Sequence, residues 1–170
     1  NIIGFDGPCS ADFWPKVPEV ASGNLVKRIN SLWVENVGPE LMWMTPEQVG
    51  QEIRQYLAKG IDFIKYASND HLGGFISFSE RVQALLVEEA HRAGVTAQAH
   101  IHTVEGLRIA IEAGCDLIQH ANITGPVPIP EATLRLLADR NTGTVVFPFT
   151  QRRLAVIMKS SEWTSRNFAS

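Results

Sequence analysis

Cysteine is scarce in this chain: Cys9 and Cys115 are the only two among 170 residues. Two thiols do not make a disulfide framework, and they fit a reducing compartment, so a cytoplasmic location is expected. Cys115 precedes an expected strand and reads as a small buried hydrophobe. Long apolar runs are missing too. None approaches the roughly 18 residues that span a membrane, and no charged stretch followed by an apolar one marks a signal peptide at the N-terminus. Charge of one sign is not in excess. The net charge is −3, and the aromatics are not interleaved with Lys or Arg, which argues against nucleic acid as a partner. No repeat or low-complexity segment occurs. The G-x-G-x-x-G spacing of a phosphate-binding turn is absent, Gly73-Gly74 being its weak remnant, which disfavours an open doubly wound sheet.

What is present suffices for one domain with a core, since 45% of the residues are hydrophobic and only 19% charged. The chain starts at Asn1 and runs at once into Ile2-Ile3-Gly4-Phe5, which reads as an internal piece of a longer protein. Residues 1–5 are expected to be a buried strand. Asp6 to Gly23, broken by Pro8, Pro15 and Pro18, is expected to be a long loop. Leu25 to Val37 reads as a short helix or irregular cover, with Trp33 packing.

Regular alternation follows. Thr45-Pro46-Glu47-Gln48 has the signature of a capped helix start, and Val49, Ile53, Tyr56 and Leu57 repeat at helical spacing up to Gly60. Asp62 to Tyr66 reads as a strand and His71 to Gly74 as a turn. Ser77 or Ser79 then caps a helix carrying Val82, Leu85, Leu86 and Ala90. Val95 to His100 is the next strand. Thr103 caps a helix that stops at Gly114, and Leu117 to His120 is another strand. A proline-rich loop leads to a helix from Pro130, a turn at Asn141 to Gly143 and a last strand, Thr144 to Phe149. Gln151 to Ser170 reads as an amphipathic or frayed tail. Strands alternating with helices of this length imply a parallel sheet built from βαβ units. The expected architecture is α/β: part of a TIM-type (β/α)8 barrel in a single domain spanning residues 1–170.

Three side chains stand at strand ends: Lys65, His100 and His120. In a βα barrel these ends share one mouth, where active sites are built. Neutral imidazole is a common ligand of zinc and similar divalent metals. An apolar strand before Lys65 brings its amine towards a low-dielectric interior, and burial lowers the pKa of an amine. A neutral lysine can react with carbon dioxide to give a carbamate, an anionic oxygen ligand. It can also form a Schiff base, although two histidines on the following strands favour metal.

The run Gly60-Ile61-Asp62-Phe63-Ile64-Lys65 resembles the G-x-D-x-I-K signature of the metal-dependent amidohydrolase superfamily, in its imidazolonepropionase-like and prolidase-like branch. Ala90-His91-Arg92-Ala93-Gly94, Ala99-His100, Glu105-Gly106, Ala110, Glu112-Ala113-Gly114, Asp116 and Ile118-Gln119-His120 are similar to the same branch. The resemblance implies barrel strands three to seven. It also implies a carboxylated Lys65 on the fourth strand and metal-binding His100 and His120 on the fifth and sixth. The first-strand His-x-His pair and the eighth-strand aspartate of that superfamily have no counterpart in this chain. His100-Ile101-His102 has the pair's spacing on another strand.

The expected activity is hydrolysis of an amide or cyclic C–N bond in a small molecule, by metal-activated water, with weak or no activity for this chain alone. Lys65 is the expected catalytic residue. Tyr66, His71 and His102 are candidate substrate contacts. His91 reads as solvated, Met42, Trp43 and Met44 as core or lid packing, and Arg152 with Arg153 as a solvated pair. Two rival readings are a Schiff-base barrel enzyme and a non-catalytic module. The module's unpaired sheet edges would associate with another copy or with the remaining portion of the barrel.

Overall fold

The computed structural model describes residues 3, 39–69, 74–122, 124 and 128–146. A short 3-10 helix, Pro39–Trp43, leads into α1, Pro46–Leu57. Then come β1 (Phe63–Ala67), α2 (Glu80–Arg92), β2 (Thr96–His100), α3 (Val104–Glu112), β3 (Leu117–Gln119), α4 (Glu131–Asp139) and β4 (Gly143–Val145). The four strands form one parallel sheet in the order β1-β2-β3-β4. Ile3 continues the series beside β1: its N–H donates to Lys65 O at 2.7 Å, and Ala67 N–H donates to Ile3 O at 2.9 Å. Of the expected first strand, only this residue lies among those described. The long loop after it, the turn at His71 and the tail from Gln151 lie outside them.

Local chemistry sets the helix ends. Thr45 and Gln48 form a reciprocal capping box at α1. Ser79, rather than Ser77, caps α2, and Thr103 caps α3. Gly60, Gly94 and Gly114 each follow a helix at positive φ, the conformation glycine adopts without a Cβ clash.

The strand order distinguishes the two architectures weighed from sequence. Each strand pairs with the next in the chain, with no reversal. The packed apolar residues also lie on one side of the sheet. Ile64, Tyr66, Ala97, Ala99 and Ile118 meet Val49, Ile53, Leu86, Ala90, Leu107, Ala110 and Ile111 in a single core. A doubly wound sheet reverses its order and carries helices on both faces. A barrel keeps its order and its helices outside. The fold is a partial barrel of α/β type.

The strands are slightly displaced from their expected limits. β1 runs to Ala67, while β3 stops at Gln119, because His120 turns into the left-handed region with φ 64°. β4 runs from Gly143 to Val145, one residue short of the last one described. Trp43 was expected to pack but is 82% exposed; its neighbours Met42 and Met44 lie against the core instead.

Candidate functional site

A parallel sheet in register carries paired residues at one height and on one face. Lys65 is level with Gln98, Ala67 with His100, and His100 with Gln119. Lys65, Gln98, His100 and Gln119 therefore share the face turned away from the helices. Lys65 sits one pleat below His100. Gln119 Nε2 donates to Gln98 Oε1 at 2.9 Å, linking β2 and β3 just beneath the histidines.

Strict alternation would send His120 to the opposite face from Gln119. The left-handed turn at His120 breaks the alternation. Its ring centroid lies 5.1 Å from that of His100, edge to face. His102 belongs to the same group, two residues past His100 and on the same side of the chain. Its ring centroid is 4.6 Å from His100 and 5.8 Å from His120. Three imidazoles thus gather at the C-terminal ends of β2 and β3, with Lys65 close enough for its charge to act on His120.

Burial, and then the Lys65 charge, hold His120 below the usual histidine pKa. At neutral pH it is an uncharged imidazole with a lone pair to offer. His100 is buried. Among the described residues, no three His, Cys, Asp or Glu side chains are disposed to enclose an ion by themselves. Neutral imidazoles are usual ligands of a borderline divalent metal, so the histidines fit such an ion by their chemistry, and Lys65 stands on the same sheet face.

Of the other candidates, Tyr66 neighbours Lys65 in β1 and so points to the other face. It is fully buried in the core, and burial, with Cys115 beside it, raises its hydroxyl pKa. His71 lies outside the described residues. His91 is partly exposed and its Nε2 pairs with Asp116 Oδ2 at 2.9 Å; the same carboxylate oxygen accepts the Ala97 N–H at 2.8 Å, holding the start of β2.

Two residues near the cluster were not singled out from sequence. Ser68 and Asn69 follow β1 and are fully buried. Ser68 Oγ donates to Gly106 O at 2.8 Å, and Asn69 Oδ1 accepts the His102 backbone N–H at 2.9 Å. Nothing local announces them, because their partners are more than thirty residues away. Gln98 carried a signal: it has the parity of His100 on a strand where Ala97 and Ala99 are apolar.

No family model matches the chain. A curated relative, ochratoxinase from Aspergillus niger, is 32% identical over 82 residues, which is 45% of this chain and 17% of that protein. Among solved structures, molinate hydrolase is 36% identical with a TM-score of 0.79 over 100% of this chain. Phenylurea hydrolase B is 28% identical, also with a TM-score of 0.79, over 96% of this chain. The chain spans 38% and 39% of these two hydrolases' lengths.

Proposed function

We propose, for a chain that is part of an amidohydrolase-superfamily barrel, that it carries the centre of a metal-dependent hydrolase site acting on a small molecule through a carbonyl–nitrogen bond. The observation that supports this reading is the gathering of the His100 and His120 rings at the ends of β2 and β3, with Lys65 on the same sheet face and near enough for its charge to act on His120. Relatives named for hydrolysing molinate and phenylurea support the hydrolase class.

Lys65, His100 and His120 would hold the ion. A divalent ion there, zinc by its donor set, supplies Lewis acidity: it lowers the pKa of water and polarises a carbonyl. The residues do the rest. Burial favours the uncharged form of His120, which has a lone pair to donate. His100, buried beside it, is fixed by the packed end of β2. The Lys65 amine takes up carbon dioxide: its nitrogen bonds to the carbon, one proton leaves to water, and an anionic oxygen results. The Gln98–Gln119 hydrogen bond keeps β2 and β3 level, so the two ligand-bearing strand ends hold one spacing. His102, whose ring lies 4.6 Å from that of His100 and 5.8 Å from that of His120, is placed to touch a substrate bound at the cluster.

Metal analysis of the full-length protein tests this reading. The wild type should carry a stoichiometric divalent ion and His100→Ala should lose most of it. Hydrolysis of molinate, a phenylurea or a Xaa-Pro dipeptide should fall at least a hundredfold with it. A metal-free wild type that is trapped by borohydride on Lys65 would instead be a Schiff-base enzyme.

A further inference from the structure

We infer that Asn69 is a positioning residue that sets His102 in the imidazole cluster. Asn69 stands two residues beyond β1 and is fully buried. Its Oδ1 accepts the backbone N–H of His102 at 2.9 Å, across 33 positions of sequence. The donor there is an N–H, so the amide can only present its oxygen, and its orientation is fixed. His102 is immediately followed by Thr103, whose hydroxyl accepts the Gly106 N–H at 2.9 Å and caps α3. The residue is therefore held from one side by Asn69 and from the other by the helix start. With its backbone held there, the His102 side chain starts beside the cluster, and its ring lies 4.6 Å from that of His100 and 5.8 Å from that of His120.

Gly106 has a matching role. A Cβ at this position would stand 2.2 Å from Asn69 Oδ1 and 3.0 Å from its Cγ. Real Cβ atoms do not come so near, so the first turn of α3 is bare where the Asn69 carboxamide passes. Ser68 Oγ, bonded to Gly106 O at 2.8 Å, ties the same turn to the end of β1. Alanine is the better helix former, so helix propensity alone would favour it at 106. The close approach of Asn69 is the reason glycine stands there.

The role of Asn69 in turnover rests on the hydrolase reading; its effect on His102 does not. The test uses uniformly labelled full-length protein, with amide exchange and histidine ring resonances read by NMR. In the wild type the His102 amide should be protected. Asn69→Ala should speed its exchange at least tenfold and move the His102 ring resonance, while the amides of Ile109 to Ile111 keep their protection. Asn69→Asp retains an acceptor oxygen and should restore both signals. Gly106→Ala should loosen His102 in the same way with Asn69 in place, and it carries the test if Asn69→Ala does not fold. Unchanged His102 exchange in Asn69→Ala, or in Gly106→Ala where that variant alone folds, overturns the inference. Metal content separates the two readings: an ion-free wild type removes the hydrolase, while the His102 signals still decide on Asn69.

Discussion

The two faces of this sheet are built from the same strands and obey opposite rules. On the helix side, Ile64, Tyr66, Ala97, Ala99 and Ile118 are fully buried among apolar side chains. On the other side, Lys65, Gln98, His100 and Gln119 are polar, and Phe63 and Val145 remain 46% and 40% exposed. One face supplies cohesion and the other chemistry. Adjacent residues of a strand can therefore differ completely in what their loss does, and β1 makes the contrast within three positions: Ile64, Lys65 and Tyr66.

The largest effect is expected on the packed face. Ile64→Ala removes a fully buried side chain between sheet and helices and should cost about 3 kcal/mol, as large-to-small core changes do. Urea denaturation of the variant reads this as a lower midpoint with an unchanged slope. A cost below about 1 kcal/mol would mean that the helix layer is looser than the core contacts imply.

An alkaline titration sharpens the same contrast. Burial, and then the nearby Asp116 charge, push the Cys115 thiol up to about 12, well above the usual thiol range. Above the unfolded value the unfolded chain releases this proton and the folded chain keeps it. Stability is therefore lost as pH rises from 9 towards 12, with a slope approaching about 1.4 kcal/mol per pH unit for one such group. The raised Tyr66 hydroxyl adds to the loss in the same direction. Denaturation midpoints measured from pH 8 to 10.5 should fall, and Cys115→Ala should flatten the curve. A slope unchanged by that substitution would place the ionising group elsewhere.

These contrasts explain what could be read from sequence. The strand end at His100, the caps at Thr45 and Thr103, and the stops at Gly60, Gly94 and Gly114 are local signals, and the structure keeps them; the strand expected to close at Lys65 runs on to Ala67. Period two also carried information about Tyr66: a neighbour of Lys65 in a strand cannot share its face. The remainder depends on three-dimensional pairing. The left-handed turn at His120 has no sequence mark, since histidine is not a residue that turn requires. Asn69 and Gly106 meet only because β1 and β2 align in register. His102 has the spacing to reach the mouth, but its backbone N–H donates to the distant Asn69 side chain rather than to a neighbouring strand.

The smallest expected effect is the most informative about the open face. Phe63 is next to Ile64 but points away from the helices, and across from it stands exposed Thr96. With 46% of the residue in water, Phe63→Ala in this 170-residue chain should cost about 1 kcal/mol, well under the 3–5 typical of a buried phenylalanine. In a protein of the length of molinate hydrolase, of which this chain spans 38%, further strands would cover that face, because barrel interiors are filled by side chains from alternate strands. The same substitution should then cost about 3 kcal/mol. The difference between the two measurements is the contribution of strands outside this chain to packing at Phe63. Equal small costs in both lengths would leave the face uncovered in the longer protein and remove the barrel interior as its partner.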